Sequence, residues 1–400
     1  MLDLSTVGPA SRCTRILGDF GAKVVKVGPV PGRGQAPTEP PFFSYGGARG
    51  YERAKIDVRD DEGREAFLAL AAKADVVVES FRPGVVDRLG IGYEAVTARN
   101  PGIVYCSTSG YGQDGPRSGW AGHDVDYLAV SGYLAMSAPA EGGAPPLPGA
   151  TIADAAAGGM HAALSIMATL IARQSTGKGA YLDVAVADGA LWLMSLAVDE
   201  HLATGSSPRP GHDVLSGRYA CYGNYEAADG RFIAVGAIEP KFFANLCNAL
   251  GCAKWIEHQY DDAVQDEIRA DIATAFARRD RDTWVDELAG ADTCVAPILE
   301  PAEVAGDAQY RHRGVFVEVE HPTEGRFLQV GPLLAGMRPA EPAEPAEPGG
   351  PADLQAPGVS KVERRVLLPD PDKTQTRELL EAAGVPAEKV AAMQSRGVLA

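Results

Sequence analysis

The chain has 400 residues, which favours two domains because a single hydrophobic core rarely serves so long a chain. Hydrophobic residues make up 46% of the sequence and charged residues 22%, as in soluble globular proteins. The formal net charge of -16 argues against a nucleic-acid partner, which needs a basic surface to neutralise phosphates. No run of about 18 apolar residues is evident, so no membrane span is predicted. Six scattered cysteines favour reduced thiols in the cytoplasm.

Helices and β-branched strands alternate in the first half of the sequence, a pattern typical of a parallel sheet covered by helices. We predict strands at residues 1–4, 23–27, 75–79, 103–107 and 182–186, and helices over 10–21, 61–74, 153–174 and up to about 204. The first strand is short, so the chain is expected to begin late in that element. Residues 153–174 are apolar on nearly every side, which predicts a buried helix. The fold class is α/β.

Composition also predicts the domain limits. Residues 206–216 hold Pro208, Pro210 and Gly211 and are predicted to be a linker. A large α/β domain is expected over 1–205 and a small α/β domain over 217–325. Within 326–400, residues 339–348 repeat Pro-Ala-Glu three times and predict an extended crossing. A helix over 374–392 is then expected to return to the large domain.

One glycine-rich segment matches a nucleotide-binding motif. Residues 110–115, GYGQDG, fit the pattern G-x-G-x-x-G and follow a predicted strand. A dinucleotide site also needs a helix that opens directly from the loop, whereas residues 116–119, PRSG, continue as loop. A tight turn in a pocket wall is therefore favoured over NAD or FAD binding.

The stretch AGHDVDYL at 121–128 places one histidine and two carboxylates within four residues. Asp124 could simply cap the next helix and leave His123 exposed in a loop. A metal site is disfavoured because no second histidine or cysteine pair has ligand spacing. The remaining alternative is acid/base chemistry together with Asp154, which heads an apolar helix among small residues that leave room for a substrate. Glu239, at another strand-to-helix junction, is a third candidate, and each is ambiguous alone.

Several motifs occur together and in order along the chain. They are ILGDFGAKVVKV at 16–27, FRPGV at 81–85, GYGQDGP at 110–116, GHD at 122–124, STGKG at 175–179, DGRF at 229–232 and GAIEP at 236–240. With them the chain resembles the family III CoA transferases and racemases, the CaiB/BaiF group, and within it the α-methylacyl-CoA racemases most closely. The resemblance implies a large Rossmann-like domain, a smaller α/β domain and an interlocked homodimer.

The same resemblance implies an acyl-CoA thioester as substrate and no cofactor beyond the CoA that the substrate carries. By position, Arg82 and the segment Ile56-Asp57-Val58-Arg59 match the family's CoA contacts best. Lys26 is a looser candidate. Gly122 and Tyr127 are expected to line the substrate site.

For a racemase, the resemblance implies that His123 is one base, polarised by Glu239, and that Asp154 is the other. The backbone amide of Asp124 is a candidate donor to the enolate oxygen. A CoA transferase of this family would instead use Asp154 as a nucleophile and would not need His123. The sequence has no run of four glycines such as well-known transferases carry near the site, and this favours the racemase.

Overall fold

The computed structural model describes residues 1–32, 48–139, 142–322, 325–337, 365–367 and 373–400. The predicted Pro-Ala-Glu crossing at 339–348 lies outside these residues. The strands are β1 (Leu2–Asp3), β2 (Val25–Gly28), β3 (Glu52–Lys55), β4 (Val76–Glu79), β5 (Val104–Ser109), β6 (Ala180–Ala185), β7 (Tyr222–Glu226), β8 (Phe232–Gly236), β9 (Val295–Pro297), β10 (Phe316–His321), β11 (Gly325–Val330) and β12 (Arg365–Leu367).

The helices predicted over 10–21 and 61–74 are confirmed to within three residues at each end, whereas those predicted up to about 204 and over 374–392 are each two helices. The second of these is interrupted because Gly384 has a φ of 92° and Pro386 precedes the last helix. The helices are α1 (Pro9–Asp19), α2 (Asp61–Ala71), α3 (Val85–Arg88), α4 (Tyr93–Thr97), α5 (Asp124–Val130), α6 (Tyr133–Met136), α7 (His161–Thr176), α8 (Val186–Leu193), α9 (Ser195–Thr204), α10 (Pro240–Leu250), α11 (Gln265–Phe276), α12 (Arg281–Leu288), α13 (Pro301–Val304), α14 (Ala308–His312), α15 (Thr376–Ala382) and α16 (Ala387–Ser395). A π-helix over Ala153–Met160 precedes α7, and 3-10 turns lie at Val214–Ser216, Ala253–His258 and Asp262–Val264.

Six parallel strands form one sheet in the order β3–β2–β1–β4–β5–β6. Leu2 in β1 is in register with Val25 on one side and with Val77 on the other. The strands β1 and β4 lie at the centre of the sheet, β2 and β3 follow on one side, and β5 and β6 follow on the other. In sheets of this kind, ligands bind outside the carboxyl ends of the strands, at the point where the strand order reverses. The sheet confirms the predicted α/β fold.

Helices cover both faces of this sheet. Val77 of β4 contributes to a core that also contains Phe67 of α2. Its neighbours Val76 and Val78 point to the opposite face, into a core shared with Ile166 of α7. Alternate residues of one strand therefore fill two separate cores, as expected of a sheet buried on both sides.

The C-terminal helices complete one of these two faces. Lys55 N–H donates to Thr376 Oγ1 (3.0 Å), and Asp57 N–H donates to the Val398 carbonyl (2.9 Å). Leu380 of α15 and Met393 of α16 are fully buried in the core that contains Phe67. The edge strand β3 is thus paired on its outer side by the end of the chain.

The π-helix and α7 form one helical run, Ala153–Thr176, of 24 residues with a mean hydropathy of 1.5 in its most apolar window. This run is long and apolar enough to cross a membrane by length and composition alone, so the absence of a membrane span stays a prediction. The core helix of a soluble protein meets the same test. Leu164 and Ile171 are 65% and 68% exposed, so the predicted all-round burial is wrong. One side of α7 packs on α1 and the sheet, whereas the other side faces outward.

The described chain forms two compact units. Unit 1 comprises Met1–Ser131, Pro148–Met194 and Ala308–Ala400, and unit 2 comprises Gly132–Leu147 and Ser195–Asp307. The prediction has the C-terminal segment complete the large domain, and the contacts also assign that segment to unit 1 while giving Gly132–Leu147 to unit 2. The limits of 1–205, 206–216, 217–325 and 326–400 stay a prediction.

Each unit carries a three-stranded sheet besides the elements already described. In unit 2, the antiparallel sheet β7–β8–β9 packs with α10, α11 and α12 around Phe243 and Phe276. In unit 1, β10 pairs antiparallel with β11 and parallel with β12.

Candidate active site

The GHD motif forms the start of α5. His123 is the N-cap residue, and its N–H donates to Asp126 Oδ2 (2.9 Å) while its carbonyl accepts from Asp126 N–H (2.9 Å). The imidazole is exposed. The prediction that Asp124 caps this helix is wrong, because His123 occupies the cap and Asp124 is the first helical residue. Because Asp124 is the first helical residue, its backbone N–H has no acceptor within the helix. A donor to an enolate oxygen must have this property.

The Asp124 side chain turns instead toward the second candidate segment. Its Oδ1 accepts a hydrogen bond of 2.8 Å from the backbone N–H of Asp154. This bond joins the start of α5 to the start of the π-helix across thirty residues of sequence. The GHD motif and the residue that heads the apolar helix therefore lie at one place in unit 1.

Electrostatics place His123 at the same site. Burial and the Asp124 carboxylate raise the pKa of Asp154, while the charges of Arg12 and His123 oppose that rise. A carboxyl group with a raised pKa can hold a proton closer to neutral pH than an ordinary aspartate. The half-buried Asp154 is therefore suited both to accept a proton and to return one.

The start of α1 forms the wall opposite Asp154. Gly8, the N-cap of α1, has φ of 79°, and a Cβ built on it would be 3.8 Å from Asp154 Oδ2. In the first turn, Arg12 Nη2 donates to Thr151 Oγ1 (2.8 Å). Sequence reasoning did not select Arg12. Its position three residues after the Gly8-Pro9 helix start was the available signal.

The π-helix allows this close approach. A Cβ on Gly158 would lie 2.4 Å from Pro9 Cβ, and one on Gly159 would lie 2.8 Å from Arg12 Cβ. Only glycine permits the backbone of the π-helix to approach α1 so closely. π-helical turns are rare in proteins overall, but those that occur are often found at functional sites.

Tyr127 and Gly122 close the site on the side of the glycine-rich loop. The Tyr127 hydroxyl donates to the Gly122 carbonyl (2.6 Å), so it is occupied within the protein. Burial, followed by the Asp154 charge, raises the pKa of Tyr127 to about 12. The Tyr127 side chain is itself buried, with 8% of its surface exposed, so its contact with a substrate stays a prediction. Residues 110–123 form turns and loop without a helix until α5, as predicted against the dinucleotide motif.

The predicted CoA contacts follow strand ends at the carboxyl edge of the six-stranded sheet. Arg82 comes after β4, is exposed, and makes no side-chain hydrogen bond or ion pair within the described ranges. After β3, Arg59 is exposed and pairs with Asp57 (3.0 Å). Ile56 and Asp57 are themselves buried, and Val58 packs partly against the core. Of these residues, Arg82 and Arg59 are the two that present cations to solvent.

Two other candidates are placed differently. Lys26 donates to the fully buried Asp3 (3.1 Å) and to Ser5 Oγ (3.2 Å), so its charge is used inside unit 1. Glu239 is exposed at the N-cap of α10 in unit 2. Its pairing with His123 stays a prediction. Within the described ranges, no group of three or more histidine, cysteine or acidic residues is arranged to hold a metal ion.

Comparison with known proteins identifies the family of the chain. Residues 1–352 match the sequence family described as CoA-transferase family III. The α-methylacyl-CoA racemase of Mus musculus is 34% identical over 79% of this chain and 81% of its own length, and that of Homo sapiens is 31% identical over 100% and 96%.

Other relatives carry transferase names. The acetyl-CoA:oxalate CoA-transferase of Acetobacter aceti is 32% identical over 80% of this chain and 84% of its own length. A CaiB/BaiF family protein from Brucella suis superposes with a TM-score of 0.68 at 27% identity and covers 79% of this chain and 87% of that structure. The chain belongs to CoA-transferase family III, the group in which the CaiB/BaiF proteins and the α-methylacyl-CoA racemases are found.

Proposed function

We propose that this chain is a 2-methylacyl-CoA racemase. The supporting observation is the hydrogen bond from the Asp154 amide to the Asp124 carboxylate, which joins the segment that carries His123 to the segment that carries Asp154. Racemisation at a carbon next to a thioester needs two proton-transfer groups, one on each face of that carbon. The relatives named α-methylacyl-CoA racemases, at 31–34% identity, support the same assignment.

The reaction needs one proton removed and one returned. In one direction, neutral His123 takes the α-proton, the electron pair moves into the thioester carbonyl to give an enolate, and protonated Asp154 delivers a proton to the opposite face. In the other direction the two groups exchange roles. The raised pKa of Asp154 keeps its protonated form accessible. The Asp124 N–H, at a helix start, would stabilise the enolate oxygen.

The thioester carries CoA, whose phosphates need cationic partners. Arg82 and Arg59, exposed at the carboxyl edge of the sheet, would supply them. We further propose an interlocked homodimer, supported by the exposed apolar side chains on α7. We also propose a reducing cytoplasmic location, with which the six unpaired cysteines are consistent.

A single epimer of 2-methyldodecanoyl-CoA incubated in deuterated water tests the proposal. The wild type should place one deuterium on the α-carbon and give both epimers. His123→Gln and Asp154→Asn should each lower epimerisation by roughly 100-fold or more, since one acid/base group is lost. Each variant should still exchange deuterium into one epimer, and the two variants should favour opposite epimers. Asp114→Asn, an exposed loop carboxylate, serves as the matched control.

The transferase alternative gives a different result. If Asp154 attacks a donor thioester, it forms a mixed anhydride and then an aspartyl-CoA thioester, which hydroxylamine traps during turnover. Transfer of CoA to an added carboxylate without α-deuteriation would overturn the racemase proposal. CoA binding without turnover of any thioester would overturn both enzymes.

A further inference from the structure

Arg12 brings a cation to the candidate active site, and neither of the proposed proton transfers uses it. It lies in the first turn of α1, and Asp154 lies in the first turn of the π-helix. These two helices are in close contact, since a Cβ built on Gly159 would lie 2.8 Å from Arg12 Cβ. The base of the Arg12 side chain therefore lies against the backbone of the π-helix.

A hydrogen bond fixes the other end of the Arg12 side chain. Arg12 Nη2 donates to Thr151 Oγ1 (2.8 Å). The Thr151 carbonyl in turn accepts the N–H of Ala155 (2.9 Å), so Thr151 belongs to the same turn of the chain as Asp154. The guanidinium is thus held at the turn that carries the Asp154 carboxyl group, across 139 residues of sequence.

The charges that reach Asp154 act in opposite directions. Burial and then the Asp124 carboxylate raise the pKa of Asp154, whereas Arg12 and then His123 lower it. The effect of His123 exists only while its imidazole is protonated, and His123 loses that proton when it acts as a base. The guanidinium of Arg12 keeps its charge at every working pH.

Four helices, α1, α5, α7 and α8, pack against the π-helix. The single charged residue of α8, Asp188, is exposed, and α7 begins at His161, seven residues after Asp154. On α5, Tyr127 has a pKa raised to about 12, mainly by burial, and stays neutral at working pH. Arg12 therefore supplies the permanent positive charge that acts on Asp154.

We propose that Arg12 is a positioning residue, held by Thr151, that keeps the ionised form of Asp154 accessible as a base in one direction of the reaction. This inference rests on the proposed function, because it assumes that Asp154 exchanges protons with the substrate. A half-buried carboxyl group beside the Asp124 carboxylate would otherwise retain its proton and serve mainly as an acid. Racemisation needs the same group to work in both senses.

The pH profile separates this role from a purely structural one. The active enzyme carries one proton shared between His123 and Asp154, so loss of activity toward low pH reports the protonation of Asp154. Arg12→Gln removes the charge and keeps a hydrogen-bond donor. Its loss of kcat/KM for deuterium exchange into 2-methyldodecanoyl-CoA, relative to wild type, should be roughly threefold or more greater at pH 5 than at pH 7.5.

Three further variants complete this test. Arg12→Lys keeps the charge and should keep the wild-type profile. Thr151→Val removes the acceptor that holds the guanidinium and should shift the profile in the same direction as Arg12→Gln, whereas Thr151→Ser should not. Arg99→Gln, which removes an exposed cation of the same unit, is the matched control and should follow the wild type. A loss for Arg12→Gln that is equal at both pH values would overturn the inference.

A direct titration of Asp154 keeps the inference separate from the proposed function. In protein labelled with ¹³C at the aspartate carboxyl groups, the NMR signal of Asp154 is the one missing from Asp154→Asn. Its midpoint should move to higher pH in Arg12→Gln and not in Arg12→Lys. If the wild type exchanges no deuterium but the midpoint moves in this way, the racemase proposal fails and the control of Asp154 by Arg12 stands. An unmoved midpoint would overturn the inference even in an active racemase.

Discussion

Glu79 is a buried carboxyl group at the carboxyl end of β4, with 1% of its surface exposed. Burial raises the pKa of Glu79 to about 7, and the charges of Asp87 and Asp183 add to the rise. A hydrogen bond from the Phe81 N–H to Glu79 Oε2 (2.7 Å) and one with Ser107 oppose it. Ionised Glu79 is therefore a cost to the folded state that the hydrogen bonds offset only in part.

We predict that Glu79→Gln flattens the dependence of stability on pH. The folded carboxyl has a pKa of about 7 and the unfolded one about 4.5, so the folded state binds more protons between these values. The contribution of Glu79 to the free energy of unfolding should be highest below about pH 4.5 and should fall between about pH 4.5 and 7, by on the order of 3 kcal/mol. The glutamine variant should lack this fall while keeping an acceptor for Phe81 N–H.

Urea denaturation at pH 5 and pH 8 measures this difference. Glu94→Gln, which neutralises an exposed glutamate of the same unit, provides the comparison and should follow the wild type. Parallel pH profiles for wild type and Glu79→Gln would show that Glu79 titrates normally.

At the residue scale, motifs predicted the site only in part. The resemblance selected His123, Asp124 and Asp154, and the structure brings them together. It did not predict that the Asp124 side chain would hold the Asp154 backbone, because that bond depends on how two distant helix starts meet. Arg12 and Glu79 belong to no motif, and a lone cation or acid in a sequence resembles a surface residue.

At the element scale, we predict that Gly158→Ala disrupts the contact between the π-helix and α1. The added methyl would lie 2.4 Å from Pro9 Cβ and 3.0 Å from Val186 Cγ2, so the two helices must separate. Overpacking of this kind costs about 1–3 kcal/mol of unfolding free energy. It should also lower kcat for deuterium exchange, because Asp154 lies on the same π-helix.

The loop that precedes the π-helix offers the matched substitution for this test. A methyl group added to Gly149 would meet open space, and the backbone conformation there is an ordinary one, so Gly149→Ala should leave stability and kcat near wild type. An unchanged melting temperature for Gly158→Ala would contradict the close packing of the two helices.

The local sequence pattern correctly predicted the position of most strands in the six-stranded sheet. The strand predicted over 75–79 is β4, Val76–Glu79, and that predicted over 103–107 is β5, Val104–Ser109. The π-helix was predicted as the beginning of an ordinary α-helix over 153–174. Its wider turn arises where Gly158 and Gly159 face α1, a contact from a distant part of the chain that no hydrophobic period encodes.

At the scale of the whole molecule, we predict that two chains associate through the outward side of α7. Leu164 and Ile171 are seven residues apart, on one side of the helix, and both are largely exposed in the single chain. Apolar surface of this kind is typical of a protein interface. Sedimentation equilibrium should give twice the chain mass of 41.9 kDa.

The double variant Leu164→Glu/Ile171→Glu should shift this equilibrium toward single chains, because carboxylates on an apolar interface would lose their hydration. Gln174→Glu/Thr176→Glu places the same two charges at polar positions of the same helix and should leave the mass unchanged. A wild type that sediments as one chain at micromolar concentration would contradict the prediction.

The bond between Asp124 and Asp154 has one more consequence for how this protein could diversify. Residues 132–147, which lie between them in sequence, belong to unit 2, whereas Asp124 and Asp154 both belong to unit 1 and are hydrogen-bonded to each other. Insertions or deletions within residues 132–147 would leave the hydrogen bond between Asp124 and Asp154 in place. Evolution could thus vary the length and composition of these residues while the spacing of Asp124 and Asp154 is inherited intact.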